Sequence, residues 1–116
     1  MNRKITFEKV RRIGMELPNV AEGTSYGTPA LKVKGKPFVC LHRDEDKLVV
    51  RVPFDRRDEL MEADPKTFFI TDHYREYPWV LVSLERVHID AVRDLLRAAH
   101  REASVERKRR GKQLSE

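Results

Sequence analysis

Residues 71–84 read Thr-Asp-His-Tyr-Arg-Glu-Tyr-Pro-Trp-Val-Leu-Val-Ser-Leu, a polar loop sequence that runs directly into an apolar one. Because the second half is almost continuously apolar, it predicts a strand from Trp79 onward that is central or covered on both faces. Five of the nine aromatic residues lie between Phe68 and Trp79, a density typical of either the core or the lining of a site. Pro78 removes one ladder donor, so residues 72–78 are expected to form a loop of definite shape.

Four further apolar runs predict strands, at residues 30–34, 38–42, 47–52 and 67–71. The first three are separated by short polar turns and predict an antiparallel meander. The fourth is expected to pair with the strand that begins at Trp79. Residues 19–29 lose the alternating pattern, and their glycines, threonines and serine predict an ordered loop.

Helical spacing predicts three helices. Thr6 is a good N-cap for the first helix, which Pro18 ends. Its apolar residues recur at Phe7, Val10, Ile13 and Leu17. The second helix is expected over residues 56–63 with Asp55 as its cap, and Asp90 is expected to cap the third. The residues of the second helix that should point inward are Leu60 and Met61.

The predicted order of elements is α-β-β-β-α-β-β-α. This order describes an α+β domain with a mostly antiparallel five-stranded sheet and helices packed against it. A chain of 116 residues has room for one core, which we place in residues 1–104. Residues 105–116 form a basic tail that is expected to fray.

Charge and cysteine content exclude several classes of protein. The chain carries 24 Lys and Arg against 19 Asp and Glu, a formal net charge of +5. No apolar run approaches the roughly 18 residues that span a bilayer, and the N-terminus lacks the apolar segment of a secretion signal, so a cytoplasmic protein is expected. The single cysteine, Cys40, rules out an internal disulfide and a cysteine-rich zinc site, and its apolar surroundings predict a buried thiol. We expect no metal site and no cofactor.

Basic residues predict one possible function, the binding of double-stranded DNA. Lysines alternate along the first strand of the meander and share one face, and another lysine lies in the turn beyond. A simpler explanation is a solvated edge strand, on which lysine discourages pairing with other chains. The phosphate contacts of a DNA complex would have low sequence specificity and would involve this basic hairpin and the Asp72–Tyr77 loop. The candidate residues are Lys32, Lys34, Lys36, Arg43, Arg51 and Arg75.

An alternative interpretation is a pocket for a small molecule or a protein segment, bordered by the loop at residues 19–29 and the loop at residues 72–77. The pocket candidates are Ser25, Tyr26, His73, Tyr74 and Trp79. Catalysis is not expected. Asp72 and His73 are adjacent and point apart in an extended chain, and neither Ser25 nor Cys40 has the setting of an activated nucleophile.

Four blocks of sequence resemble a known family. They are Leu17-Pro-Asn-Val20, Glu22-Gly-Thr-Ser-Tyr-Gly-Thr-Pro-Ala-Leu-Lys-Val-Lys-Gly-Lys-Pro-Phe38, Leu48-Val-Val-Arg-Val52 and Thr71-Asp-His-Tyr-Arg-Glu-Tyr-Pro-Trp-Val-Leu-Val82. In these blocks and their spacing, over residues 5–103, the chain resembles the MmcQ/YjbR family of small bacterial proteins. The resemblance implies a CyaY-like α+β arrangement, similar to the double-wing DNA-binding domain of a phage transcription factor, and on that analogy it implies a non-enzymatic DNA-binding protein. A monomer is assumed.

Overall fold

A computed structural model describes the backbone of residues 5–114 and the side chains of residues 5–105. Within this range it contains three α-helices and six β-strands. In chain order these are α1 (Phe7–Met15), β1 (Val20–Ser25), β2 (Thr28–Val33), β3 (Lys36–Leu41), β4 (Lys47–Arg51), α2 (Phe54–Ala63), β5 (Phe68–Phe69), β6 (Trp79–Ser83) and α3 (Ile89–Leu114). A 3₁₀ turn, Asp72–Tyr74, lies between β5 and β6.

The strands form one antiparallel sheet in the order β1-β2-β3-β4-β6-β5, with helices packed against it. The α+β prediction is confirmed, but the predicted number of strands, five, is wrong. The additional strand is β1, which lies where an ordered loop was predicted and pairs with β2 from Val20↔Val33 to Ser25↔Thr28. Because an edge strand has one neighbour and exposes most of its side chains, β1 forms without the apolar alternation that marks the other strands.

β6 is an inner strand, between β4 and β5, as its apolar sequence predicts. The predicted pairing with the preceding segment is also confirmed, because Phe68 lies opposite Val82 and Phe69 opposite Leu81. Regular pairing covers only these two positions of the predicted strand at residues 67–71. Thr67 adds one irregular contact, since its carbonyl accepts the Ser83 N–H at 2.9 Å.

α1 begins as the sequence predicts. The Thr6 hydroxyl accepts the Lys9 N–H at 3.3 Å and caps the first turn. The helix ends at Met15, before the predicted Leu17, because the last N–H groups turn back to carbonyls three residues earlier. Gly14 lies on the buried side of α1, and an added Cβ there would overlap the side chain of Leu31.

α2 begins two residues earlier than predicted. Pro53, with φ −65°, is the residue before the helix, and Asp55 lies in the first turn, where its carboxylate accepts the Arg56 N–H at 2.8 Å. Asp55 is therefore not the N-cap. Leu60 and Met61 are half-buried and pack against the core, as helical spacing predicts. Arg57 is the buried residue of this helix.

α3 is the longest helix, and its buried side chains cover the sheet. The predicted fraying of residues 105–116 stays a prediction, because the side chains from residue 106 onward lie outside the described residues. Among the helices of the described range, none combines the length and apolar character needed to cross a membrane.

The two faces of the sheet carry different apolar clusters. On the first face, α1 and α3 cover the main core, in which Phe38, Val50 and Val82 are fully buried. On the second face, the strand register aligns a row of small apolar side chains across the sheet. This row is Ala30, Cys40, Val49 and Leu81. Cys40 is buried, as predicted. The row forms the floor on which the candidate site is built.

A cavity on the second face of the sheet

A cavity lies on the second face, between the β1–β2 turn and the loop that leads into β6. We call it the sheet cavity and describe it as two overlapping lobes. The polar lobe has a volume of about 490 Å³, and residues found only in this lobe are Thr28, Leu41, His42, Arg43 and Thr71. The aromatic lobe has a volume of about 400 Å³, and residues found only in this lobe are Pro37, Tyr77 and Trp79. The lobes share Ser25, Tyr26, Cys40, Val49, His73 and Tyr74. Each lobe has the size of an ordinary small-molecule pocket.

All five pocket candidates from the sequence line the aromatic lobe of the sheet cavity. They come from three places in the chain, since two lie at the end of β1, two in the 3₁₀ turn and one at the start of β6. The antiparallel sheet brings these segments to the same face. The separation of these residues along the chain does not indicate that they lie close together in the fold.

The β1–β2 turn places an aromatic ring at the rim. Tyr26 has φ 53° and Gly27 has φ 83°, so both central residues of this two-residue hairpin are left-handed, as in a type I′ turn. Glycine adopts this conformation readily, whereas a bulky residue with positive φ is uncommon and strained. Tyr26 is also fully exposed, so packing of its ring on the core does not explain its presence. Tyr26 therefore lies at the border of the sheet cavity.

The loop before β6 has a definite shape, as predicted. Tyr74 N–H donates to Thr71 O at 3.0 Å, Arg75 N–H to Asp72 O at 3.2 Å, and Tyr77 N–H to Tyr74 O at 3.1 Å. These contacts present the rings towards one another. The His73 and Tyr74 rings meet edge to face with centroids 4.7 Å apart, and the His73 and Tyr77 centroids are 6.5 Å apart.

Arg57 fixes this loop from α2, and sequence reasoning missed it. Its Nη1 donates to the carbonyls of Tyr74 at 3.0 Å, Tyr77 at 2.7 Å and Trp79 at 3.1 Å. Its Nη2 donates to the carbonyl of Arg75 at 3.0 Å. The side chain is 5% exposed, and its guanidinium also lies 4.8 Å from the centre of the Phe54 ring.

A sequence signal for Arg57 did exist. Leu60 and Met61, three and four residues later, were both predicted to face inward, and positions at that spacing share one face of a helix. The mixed charges of this segment are instead typical of exposed ion pairs. Neighbouring Arg56 does form one, with Glu59 at 3.3 Å.

The six candidate DNA-binding residues occupy different settings. Arg51 is buried, with Nε and Nη2 donating to the Pro37 carbonyl at 3.3 and 3.2 Å and its guanidinium 4.8 Å from the Trp79 ring centre. Arg75 pairs with Asp72 at 2.6 Å on the surface. Arg43 lines the polar lobe. The three lysines lie in the β2–β3 hairpin.

The lysine hairpin differs from its predicted geometry. β2 ends at Val33, so Lys34 is not on the strand face that carries Lys32. Lys34 has φ 54° and forms the β2–β3 turn with Gly35, while Lys36 begins β3. β2 ends one residue before the predicted end because a two-residue type I′ turn closes this hairpin, and such a turn places both of its residues outside the ladder.

The titratable groups of the polar lobe favour binding over nucleophilic chemistry. Burial raises the pKa of the Cys40 thiol to about 11, so the thiol is neutral at pH 7. Burial also raises the pKa of Tyr74, with smaller contributions in the same direction from Cys40 and Tyr26, while the positive charge of Arg43 opposes the shift. The pKa of His42 is lowered, first by burial and then by Lys47, and the nearby carboxylates of Asp44 and Asp46 oppose this shift.

The hydrogen bonding of His42 sets which ring nitrogen carries the proton. Its Nδ1 accepts the backbone N–H of Asp44 at 3.1 Å, which leaves the proton of the neutral ring on Nε2. Lys47 offsets part of the local negative charge, because its Nζ lies 3.2 Å from Asp44 and 2.7 Å from Asp46. Across the described side chains, no cluster of three or more His, Cys, Asp or Glu is arranged to hold a metal ion.

Comparisons with known proteins agree with the sequence resemblance. The model of the YjbR family matches residues 15–102. A similar solved structure is the crystal structure of Deinococcus radiodurans protein DR2400, family-model domain DUF419, which is 26% identical with a TM-score of 0.70. The alignment covers 81% of this chain and 75% of that one. No protein with a curated description matches the chain.

Proposed function

This chain belongs to the YjbR family, and we propose that it is a binding module that takes a small molecule in the sheet cavity. The observation that supports this proposal most strongly is the meeting of two separate turns across one apolar floor. One turn brings a fully exposed Tyr26 in a strained left-handed conformation, and the other brings His73, Tyr74 and Tyr77. Strained backbone conformations cluster at binding and active sites, so the exposed ring on such a residue supports the proposal.

The proposal describes a binding protein without catalytic activity. A thiol with a pKa of about 11 carries almost no thiolate at pH 7, so Cys40 at the cavity floor is a poor nucleophile. The His73 ring makes contacts with two tyrosine rings, which suit it to packing against a ligand. We also propose that the protein is cytoplasmic and monomeric.

An NMR screen of the ¹⁵N-labelled protein against mixtures of small molecules at millimolar concentration tests this function. We expect hits to shift the amide resonances of residues 25–28, 40–43 and 71–77, and to leave those of α1 unchanged. Tyr26→Asn should weaken the hits several-fold, because it removes a rim ring and keeps a residue that tolerates the turn. The control is Met15→Asn, which changes an exposed apolar residue at the end of α1, on the first face. Failure of every compound to shift the cavity amides, or equal weakening by both variants, would contradict the proposal.

Double-stranded DNA is the second candidate ligand. The supporting observation is that three lysines, Lys32, Lys34 and Lys36, lie in one hairpin at the β2–β3 turn, where Lys34 is exposed. Fluorescence anisotropy of a labelled duplex at two salt concentrations is the test, since each phosphate contact should contribute about −0.9 to the log-log slope. Replacing the three lysines with alanine should reduce both the affinity and this slope. If binding is absent at low salt or unchanged in the triple variant, the hairpin does not bind DNA.

A further inference from the structure

We propose that the ligand of the sheet cavity is a planar ring carrying one anionic group, with the ring in the aromatic lobe and the anion in the polar lobe. This inference rests on the proposed function, because it assigns a chemical class to the occupant of the same cavity. It follows from an asymmetry between the lobes. Their shared residues make one continuous floor, whereas the residues particular to each lobe differ in chemistry.

The aromatic lobe suits a flat apolar group. Pro37, Tyr77 and Trp79 line this end, and the rings of Tyr26, His73 and Tyr74 reach it from both sides. Tyr77 is 56% exposed, so a ring that packs against it would remove apolar surface from water. Aromatic pairs add stabilisation beyond that burial. The Arg57 contacts to the Tyr77 and Trp79 carbonyls hold this wall in place before any ligand arrives.

The polar lobe suits an anion. Arg43 is exposed at its edge and makes no side-chain hydrogen bond or ion pair with the described part of the chain. Two arginines elsewhere on the surface are paired instead, Arg11 with Glu8 and Arg75 with Asp72. Thr71 places a hydroxyl group at the same end, and neutral His42 retains an Nε2–H donor, whereas the Thr28 hydroxyl already donates to the Ser25 carbonyl at 2.9 Å. A positive group with nearby neutral donors is the usual arrangement for a carboxylate or a phosphate.

The carboxylates nearest this lobe are not among its lining residues. Asp44 and Asp46 both lie within ion-pair distance of Lys47, whose single positive charge offsets one of the two. The Cys40 thiol at the floor is neutral because burial raises its pKa. Arg43 is the permanently charged residue that lines the polar lobe.

Titrations with matched probes test the inference, with affinity read from amide shifts in the ¹⁵N spectrum. The probes are 2-naphthoate, its neutral analogue 2-naphthamide, acetate and 2-naphthyl phosphate. We expect 2-naphthoate to bind about fivefold more tightly than 2-naphthamide, which corresponds to about 1 kcal/mol. Acetate should show no measurable binding, because it lacks the ring. Comparison of the phosphate with the carboxylate decides which anion the polar lobe prefers.

Variants separate the two lobes. Arg43→Gln should remove the preference for 2-naphthoate and leave the affinity for 2-naphthamide unchanged, whereas Tyr77→Ala should weaken both probes. The control Arg56→Gln removes an equal charge from the exposed side of α2 and should change neither affinity. Equal binding of acid and amide, or an acid preference that survives Arg43→Gln, overturns the anion assignment and leaves the proposed binding function intact. No binding of any naphthyl probe overturns the ring assignment, while the broader screen still tests the binding function on its own.

Discussion

Replacing Arg57 with methionine should separate the loop at residues 72–78 from α2. The change keeps an unbranched apolar side chain that matches the aliphatic stem of arginine and removes four hydrogen bonds to backbone carbonyls. The carbonyls of Tyr74 and Tyr77 each retain one backbone donor, from the N–H groups of Tyr77 and Trp79. The carbonyls of Arg75 and Trp79 lose the guanidinium without such a replacement from within the loop.

The expected loss of stability follows from these two carbonyls. A buried acceptor left without a donor costs about 1–3 kcal/mol, so two of them give about 2–6 kcal/mol. Because the loop lies at the surface, water can reach part of the freed backbone, and we expect the lower half of that range. Arg57→Met should therefore lower the free energy of unfolding by about 2–4 kcal/mol. The stability of Arg57→Lys should fall between that of the wild-type protein and that of Arg57→Met, since one ammonium group cannot reach all four carbonyls.

Urea unfolding and amide hydrogen exchange measure the two parts of this effect. Exchange should accelerate at Tyr74, Arg75 and Tyr77, whose N–H groups form the turns of the loop. The matched control is Arg56→Met, which removes a neighbouring exposed arginine from the same helix and should change stability by less than about 0.5 kcal/mol. If Arg57→Met is as stable as this control, or if exchange in the loop is unchanged, the guanidinium does not hold the loop.

Three further predictions concern single positions. Tyr26→Asn should raise the free energy of unfolding by about 0.5–1 kcal/mol in urea titrations by relieving a left-handed backbone, and Lys34→Asn in the equivalent turn should give a similar gain. Gly14→Ala should lower it by about 1–2 kcal/mol, because the new Cβ displaces the buried Leu31 side chain and this outweighs the gain in helix propensity; a more stable variant would contradict the close packing. The pKa of His42 is lower in the folded protein than its ordinary value of 6.5, so its contribution to stability is complete above pH 6.5 and is lost as the pH falls through the folded value. Urea titrations should show that the free energy of unfolding falls between pH 7.5 and pH 5.5, and that it falls less in His42→Gln than in the wild-type protein. Equal losses in the two proteins would refute a role for His42.

The elements that the sequence predicted well are those that bury side chains. β6 and the three strands of the meander have apolar runs because they lie inside the sheet, and α1 shows its Thr6 cap and helical spacing directly. β1 was missed because backbone pairing at a sheet edge leaves little pattern in the side chains. The sequence predicted Lys34 on the strand, whereas its left-handed backbone places it in the turn after β2.

Five of the residues that line the candidate site stood out in the sequence, but their arrangement did not. Ser25, Tyr26, His73, Tyr74 and Trp79 stood out by residue type, and they do line one cavity. The cation list was less useful, because charge in a sequence does not distinguish exposed Arg43 from buried Arg51. The Nε2–H donor of His42 depends on a hydrogen bond from the Asp44 backbone to Nδ1, which exists only once the β3–β4 turn has formed.

The left-handed turn at Tyr26 also has a consequence for how this protein can evolve. Asparagine suits that backbone better than tyrosine, and a tyrosine codon becomes an asparagine codon through one base change. A stabilising substitution is therefore always within reach of mutation. If the ring has no role, drift should have replaced it in many lineages. If the ring serves the cavity, tyrosine or another aromatic residue should persist at this position although asparagine would be more stable. Selection experiments that reward stability alone should then replace the aromatic residue.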